Sequence, residues 1–294
     1  MQKNVHDNLI DSRESGIAFA MLMILYIIVS FLGQSLCAVV FGLGSVPYIA
    51  VCSCFSVLSI TAVIAYFVFY KKNKFVELVS IKPCKFIYFP LAIVLAVGMF
   101  MGLGFVNESL AGVFTGWGLT VSGISLPLDN VGQFILFSFL YALLPAVFEE
   151  LFFRGLLVEG LKSLGKVYSV LLSALCFALY HCSAVQFVYQ FIYGVALGFL
   201  SVSAKSIVPC IVAHFINNFA VISFEFFKIA IDLYSIVVII LGAMLLVLFT
   251  VFLCLIEKVK KTERVKGNMG KFFLPFGTFG IVLCLVLLVG NLVA

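Results

Sequence analysis

Three short polar patterns interrupt the apolar second half of the chain, and their residue types are those of hydrolytic sites. An ionisable side chain is costly to bury in an apolar segment, so it marks a candidate functional site and needs a partner. Carboxylate, imidazole and amide groups can together supply a base, hydrogen-bond donors and metal ligands. The three patterns are Glu149-Glu150-xxx-Arg154, Phe177-xxx-His181 and His214-xxx-Asn218.

The simplest chemistry for this set is hydrolysis of an amide by an activated water. Glu149 can act as the general base that takes a proton from the water, and His181 can hold and orient the same water. His214 and Asn218 are four residues apart and therefore share a helix face, from which they can donate hydrogen bonds to a developing oxyanion. This outline requires no nucleophilic Ser or Cys.

A metal-dependent alternative uses three of the same residues. Glu149, His181 and His214 can make a three-ligand zinc site with an open position for water. The HExxH and GxSxG signatures of other hydrolases are missing from the chain. The residues alone leave the cofactor open between a divalent metal, such as zinc, and none.

Glu150 and Arg154 have the spacing of a supporting ion pair. They are four residues apart with the acid first, which favours pairing on one helix face. Glu149 has no such local partner, and Asn217 is expected to point away from the face that carries His214. Taken singly, each of these residues fits a structural role, but an unpaired Glu, two His and an Asn together indicate a functional cluster.

Composition places these patterns in membrane helices. The chain is 64% hydrophobic and 11% charged, whereas soluble domains carry roughly 25% charged residues. We therefore predict an all-α fold, a polytopic integral membrane helical bundle with eight or nine transmembrane helices. The basic residues lie between the apolar runs, so the net charge of +5 does not indicate nucleic-acid binding. The predicted spans are 17–41, 47–70, 86–106, 130–150, 167–183, 185–202, 207–225, 231–256 and 272–293.

The distribution of basic residues predicts the orientation. Connection 71–85 holds five lysines against one glutamate, and connection 257–271 holds six basic residues against two acids. With nine spans, every basic connection falls on one side of the membrane, which indicates that the N-terminus is cytoplasmic. We expect the protein to lie in the cell membrane, with these lysines facing anionic lipid. Connection 107–129 is rich in glycine and is expected to be an outside loop. We divide the chain into N-terminal spans and outside loop (1–129), helical core (130–225) and C-terminal spans (226–294).

The three patterns are predicted to reach a similar depth. At about 1.5 Å per helical residue, Glu149, His181 and Asn218 lie roughly 20 Å, 22 Å and 20 Å from the nearest cytoplasmic lysines, and His214 about 14 Å. This requires the helix of Glu149 to continue to about Leu164. Such a helix is too long to cross upright, so we expect it to tilt or to kink near Pro145.

The ordered set of motifs resembles the CPBP family, the membrane peptidases related to the type II CAAX prenyl endopeptidase and to bacteriocin-processing and immunity proteins. The resemblance covers residues 130–225 only. It implies that Glu149 and His181 activate the water, that His214 and Asn218 form the oxyanion site, and that Glu150 and Arg154 support them. Family members are commonly labelled metalloproteases, and a metal-independent glutamate mechanism has also been argued for the group.

The leading interpretation is an intramembrane endopeptidase that cuts a membrane-associated peptide or protein near the cytoplasmic half of the bilayer. The alternative is a non-proteolytic membrane immunity or scaffold protein that uses the polar cluster for packing. A transporter is a third option, which no paired, broken helices support. The sequence selects neither a prenylated nor any other particular substrate, and it does not predict the oligomeric state.

Overall fold

The computed structural model of the protein describes residues 10–70, 72, 74–121, 126–257 and 267–293. Within these ranges the regular structure is helical and includes no strand, which confirms the predicted all-α class. The helices are α1 (Ser12–Phe41), α2 (Val46–Tyr70), α3 (Phe75–Leu78), α4 (Tyr88–Gly116), α5 (Val131–Leu164), α6 (Lys166–Tyr180), α7 (Ala184–Ala204), α8 (Val208–Phe226), α9 (Ile236–Glu257) and α10 (Gly270–Leu292).

Most of these helices are long and apolar enough to cross a membrane. In the described part of the chain there are eight such helices, which are all but α3 and α6. Helix α6 has 15 residues, or about 22 Å of length, less than the roughly 30 Å of a hydrocarbon core. The short break at 181–183 separates α6 from α7, as predicted. The protein is therefore an integral membrane bundle in which α6 is a short ninth apolar helix.

Helix α5 carries the first polar pattern and runs to Leu164 without interruption, as the depth estimate required. Its 34 residues extend about 51 Å, so the helix must tilt within a bilayer. Two π-helical stretches, Phe139–Leu143 and Leu151–Leu157, lie on either side of Glu149. The first ends two residues before Pro145, which has no N–H to donate. The predicted irregularity near this proline is thus a π-helical turn.

Helix α4 corrects the expected outside loop at 107–129. Residues 107–116 are helical, and the connection to α5 begins only at Trp117. The glycines in this stretch suggested a turn, but each costs a helix only about 1 kcal/mol. The apolar residues Val106, Leu110 and Val113 continue the helical spacing through them. The helical pattern therefore prevails over the glycine content.

Hydrogen bonds between connections define two ends of the bundle. At the first, the backbone N–H of Ile207 donates to Ser80 at 3.2 Å and that of Gly267 to Ser163 at 2.8 Å. We call this the basic end, because it carries the lysine-rich connections that follow α2, α5, α7 and α9. The N-terminus of α1 also lies there, against Gly160. Lys71 and residues 258–266, which contribute to the predicted basic connections, lie outside the described residues.

The opposite end is called the distal end. It comprises the connections that follow α1, α4, α6 and α8, together with the C-terminal turns of α10. Here the N–H of Thr120 donates to the carbonyl of Leu292 at 3.1 Å, and the side-chain amide of Asn291 donates to the carbonyl of Cys182 at 3.0 Å. The last helix is therefore fixed to both the α4–α5 and the α6–α7 connections.

Candidate active site

A cavity of about 850 Å³ lies in the distal half of the bundle. It is bounded by α4, α5, the first half of α7, α8, the C-terminal end of α10 and the connections that follow α4, α6 and α8. The four residues that the sequence predicted as catalytic all line it: Glu149, His181, His214 and Asn218. The structure therefore confirms that the three patterns converge, although they lie on separate helices and are up to 69 positions apart in the chain.

Glu149 and His214 face each other across this cavity. Glu149 is 8% exposed and His214 is 3% exposed. The carboxylate oxygen Oε2 of Glu149 lies 3.8 Å from Nε2 of His214, which is too long for a direct hydrogen bond. This oxygen has no hydrogen-bond partner among the described residues. The geometry thus leaves a buried acceptor directed at the space where a polar ligand or water can bind.

Glu150 connects the first and third patterns. Its Oε1 atom accepts a hydrogen bond from Nη1 of Arg154 at 2.7 Å, which confirms the predicted ion pair. The same oxygen lies 2.8 Å from Nδ1 of His214. Neither Glu150 nor Arg154 lines the cavity, and both are almost fully buried. Glu150 and Arg154 therefore position the His214 ring through its Nδ1 atom without lining the cavity themselves.

Phe177 packs against all three patterns. The guanidinium carbon of Arg154 lies 4.1 Å from the centre of its ring, and the ring centroids of His181 and His214 lie 4.7 Å and 5.8 Å away. Arg154 is further fixed by the carbonyl of Gly194 on α7, at 3.4 Å from Nη2. One aromatic side chain therefore carries a cation–π contact and supports both histidines.

His181 lies immediately after the last residue of α6. Its Nδ1 atom is 2.8 Å from the carbonyl oxygen of Phe177, one of the carbonyls that a helix C-terminus leaves without a partner from within the helix. Because a carbonyl only accepts, Nδ1 carries the proton and donates. A neutral ring then has an unprotonated Nε2, which can accept a hydrogen bond.

Asn218 belongs to a hydrogen-bond chain that sequence reasoning missed. The Tyr189 hydroxyl donates to Oδ1 of Asn217 at 2.6 Å, and Nδ2 of Asn217 donates to Oδ1 of Asn218 at 3.4 Å. Nδ2 of Asn218 in turn donates to the carbonyl of Tyr141 at 3.4 Å. Asn217 was expected to point elsewhere, and this was wrong, since its amide reaches the cavity and contacts Asn218.

The acceptor at the end of this chain is made available by a proline. In an α-helix the carbonyl of Tyr141 accepts from the N–H four residues later, and that residue is Pro145. The Asn218 amide donates to this carbonyl instead. The signals that pointed to these contacts were Pro145 within an apolar helix and the polar residues Gln186, Tyr189 and Gln190 along α7.

The side chains do not fit the predicted zinc site. Over the described ranges, no group of three or more His, Cys, Asp or Glu residues has the arrangement to hold a metal ion. The contacts of Nδ1 with Glu150 in His214 and with the Phe177 carbonyl in His181 leave both Nε2 atoms available, so the misfit lies in how the three side chains are placed relative to one another. Glu149, His181 and His214 therefore line a common cavity without the arrangement of a ligand set.

The cavity lies at the opposite end of the bundle from the one expected. Its exposed lining includes Glu108, Thr120, Glu225 and Asn291, all at the distal end. None of its lining comes from the described connections of the basic end. The expectation of a site near the basic, lysine-rich side was wrong, because roughly 20 Å from that side already places Glu149 beyond the middle of a core about 30 Å thick.

These features define a class of protein: a helical integral membrane protein with a buried carboxylate, two histidines and an amide around an internal cavity. Residues 131–220 match the family model described as Type II CAAX prenyl endopeptidase Rce1-like. This segment is accordingly similar to CAAX-type intramembrane endopeptidases, which confirms the resemblance to CPBP proteases for residues 131–220. The match runs from the first residue of α5 into α8 and includes every predicted site residue. No curated protein and no solved structure matches the chain.

Proposed function

We propose that the protein hydrolyses peptide bonds inside the membrane with a water activated by Glu149 and His181 and an oxyanion site formed by His214 and Asn218. The observation that carries this proposal is the convergence of these four side chains on one cavity of about 850 Å³. The family match supports the reaction class. The roles of individual residues are part of the proposal.

In the first step, Glu149 removes a proton from a water that also donates to Nε2 of His181. Oε2 of Glu149 has no hydrogen-bond partner among the described residues, and Glu149 and His181 line the same cavity, so this oxygen is available to accept a proton from a water bound there. The water oxygen attacks the carbonyl carbon of the peptide bond, and the carbonyl π electrons move onto oxygen. General-base assistance of this kind contributes about 10²–10⁴-fold to a rate.

The oxyanion then accepts hydrogen bonds from His214 and Asn218. The Asn218 amide has two N–H groups, of which one is directed to the Tyr141 carbonyl at 3.4 Å, so the second is available for the oxyanion. Because Oδ1 of Asn218 accepts from Asn217, the donor end of the amide faces the cavity. Donation from His214 Nε2 requires a ring that is protonated on both nitrogens, with Nδ1–H bound to Glu150.

In the last step the tetrahedral intermediate collapses. The carbon–nitrogen bond breaks, and the proton held by Glu149 passes to the leaving amine, so that the carboxylate is regenerated. The products are a new carboxyl terminus and a new amino terminus. Glu150 and Arg154 take no part in these transfers, since neither lines the cavity.

The test compares the new peptide termini in membranes from cells that make the wild type, Glu149→Gln or Glu149→Ala at equal protein level. We expect termini that appear with the wild type and fall by about 100-fold or more in both variants, because the general base is lost. Glu77→Gln is the matched control, since Glu77 is exposed and its pair with Lys74 lies at the basic end. Mass spectrometry detects the termini.

Two outcomes contradict the proposal. Full cleavage by Glu149→Ala would remove the proposed base. Identical peptide sets with wild type and variants would favour the alternative, a non-proteolytic membrane protein that retains the cluster for interhelical packing.

A further inference from the structure

The exposed part of the cavity lining lies entirely at the distal end. The helices contribute residues from their middle and distal parts: Phe100 to Glu108 of α4, Tyr141 to Glu149 of α5 and His214 to Glu225 of α8. Ala184 to Gln190 of α7, Leu288 to Leu292 of α10 and the connections after α4, α6 and α8 complete the wall. Among the described residues, none from the connections after α2, α5, α7 or α9 contributes. Within the described ranges, the exposed lining therefore places the access to the cavity at the distal end of the bundle.

The charges of the chain distinguish the two ends. The connections of the basic end contain most of the Lys and Arg residues outside the N-terminal segment. The distal end contains the single base Lys228 and four acids, Glu108, Asp129, Glu225 and Asp232. Cytoplasmic connections are those enriched in Lys and Arg. This rule assigns the basic end to the cytoplasm and the opening of the cavity to the other side.

The cavity wall is also acidic. Glu108 and Glu225 are exposed at its rim, and Glu149 lies inside it. No Lys or Arg lines it within the described ranges. The volume, about 850 Å³, falls within the range of about 300–1,000 Å³ that ligand sites occupy. An opening with this charge attracts and orients cationic partners.

We infer that the active-site cavity receives its substrate from the extracytoplasmic side, and that the substrate is a peptide segment with Lys or Arg beside the cleaved bond. This inference rests on the proposed peptidase function and adds to it the side of entry and the charge of the substrate. The basic residues of the segment contact Glu108 and Glu225 at the rim, while the cleaved bond reaches Glu149.

The side of entry is tested by cysteine labelling, which does not require activity. Cys52, Cys54, Cys84 and Cys254, the described cysteines that are not buried, are first replaced by Ser. Single cysteines are then introduced as Glu108→Cys and Thr120→Cys at the rim and Lys82→Cys at the basic end. Each variant is treated with a membrane-impermeant maleimide, in intact cells and in inside-out vesicles. Labelling after denaturation measures the total protein.

We expect the two rim cysteines to be labelled in intact cells and the Lys82→Cys variant only in inside-out vesicles. The reverse pattern would overturn the inference, and so would labelling of all three positions from one side. Rim cysteines that react from neither side, although they react after denaturation, would overturn it as well, because the cavity would then have no opening to water.

The charge of the substrate is tested with the termini that depend on the wild type. We expect them in extracytoplasmic segments with Lys or Arg nearby, and we expect Glu108→Gln/Glu225→Gln to reduce them by at least about threefold through lost charge complementarity. Glu77→Gln at the basic end is the control. Termini in cytoplasmic segments would overturn the inference and leave the peptidase intact. If no termini depend on Glu149, the peptidase and the substrate assignment both fail, and the labelling alone decides the side of the opening.

Discussion

At the scale of single residues, the candidate site depends on the buried carboxylate of Glu150, which accepts hydrogen bonds from two donors. Oε1 of Glu150 contacts both Arg154, at 2.7 Å, and His214, at 2.8 Å. Arg154 is 2% exposed and Glu150 is fully buried, so each charge depends on the other for compensation. Because Glu150 is on α5 and His214 is on α8, this contact makes the position of the His214 ring depend on the position of α5.

Removing the cation should therefore be costly. Arg154→Met preserves much of the side-chain volume but leaves Glu150 buried without its guanidinium partner. We expect a loss of about 3–5 kcal/mol in the free energy of unfolding, as for other broken buried pairs. Unfolding in detergent micelles measures it. The double variant Glu150→Gln/Arg154→Met should lose less stability than Arg154→Met alone. A loss below about 1 kcal/mol for Arg154→Met would show that the charge of Glu150 does not depend on Arg154 for compensation.

The second prediction at this scale concerns the amide chain. Tyr189→Phe removes the hydroxyl that donates to Asn217, and Asn218 then loses the contact that fixes its donor end. We expect a stability loss of only about 0.5–1.5 kcal/mol and a roughly tenfold loss of proteolytic rate, as one oxyanion donor becomes misplaced.

Tyr193→Phe is the matched control for this prediction. Tyr193 lies one turn further along α7, and its hydroxyl is buried without a hydrogen-bond partner among the described residues. Its removal should leave the proteolytic rate unchanged and should not lower the stability, because no hydrogen bond within the described residues is lost. Equal effects of the two substitutions on rate would contradict the role assigned to the amide chain.

The residues that the sequence could predict are those that break the apolar pattern at helical spacing. Glu149, His181, His214 and Asn218 were found in this way, because charged or amide groups are costly inside membrane helices. Tyr189 and Asn217 were missed, since a tyrosine in an apolar helix is common and the direction of an amide depends on its neighbours in space. The sequence also could not exclude the zinc set, because whether three side chains can surround one ion depends on how their helices are placed in space.

At the scale of elements, α5 is the component that brings carboxylates to the cavity. Its second π-helical stretch, Leu151–Leu157, directly follows Glu149 and Glu150 and includes Gly155. A Cβ atom at Gly155 would lie 2.8 Å from both Cα and the carbonyl oxygen of Val79. These are backbone atoms of the connection between α2 and α4, so the helix can lie this close only because residue 155 has no side chain. The position of Glu149 depends on that contact.

Gly155→Ala should displace α5 from the Val79 backbone. Overpacking of this kind costs about 1–3 kcal/mol, and we expect a loss of cleavage that exceeds the loss of folded protein, because Glu149 moves with the helix. Gly112→Ala on α4 is the control, since a Cβ there would meet no atom within 4 Å. It should be neutral or stabilising by up to about 1 kcal/mol. Thermal unfolding measures the loss of stability, and the termini assay measures the loss of cleavage. If Gly155→Ala changed neither quantity, the close approach of α5 to Val79 would not be needed.

Helices could be predicted where length and hydropathy determine their bounds. They could not be predicted where the bounds or the helix type depend on individual hydrogen bonds. The continuation of α5 to Leu164 followed from the apolar pattern and from the need to bring Glu149 to the depth of His181. The π-helical stretches did not, because they depend on which backbone N–H groups reach a carbonyl. The extension of α4 to Gly116 was missed, since the glycines there were taken as turn signals although they interrupt no helical spacing.

At the scale of the whole molecule, the fold class followed from composition, and the count of helices depended on α6. A helix of 15 residues is shorter than the hydrocarbon core is thick, yet it reverses the direction of every element after it, and the sequence predicted it as the span 167–183. The contacts place the N-terminus of α1 beside Gly160 at the basic end. They place the C-terminal turn of α10 beside Thr120 at the distal end.

The two chain ends should therefore lie on opposite sides of the membrane. A reporter that is active only in the cytoplasm should work when fused before Met1 and fail after Ala294, whereas a phosphatase that is active only outside should show the reverse. If α6 and α7 did not separate into two helices, the number of membrane crossings would fall from nine to eight, and both ends would share one side. Identical reporter results at the two ends would thus contradict the topology. If the reporters instead placed the N-terminus outside and the C-terminus in the cytoplasm, the number of crossings would still be odd. The cavity would then face the cytoplasm, because the cavity and the C-terminal turn of α10 lie at the same end of the bundle.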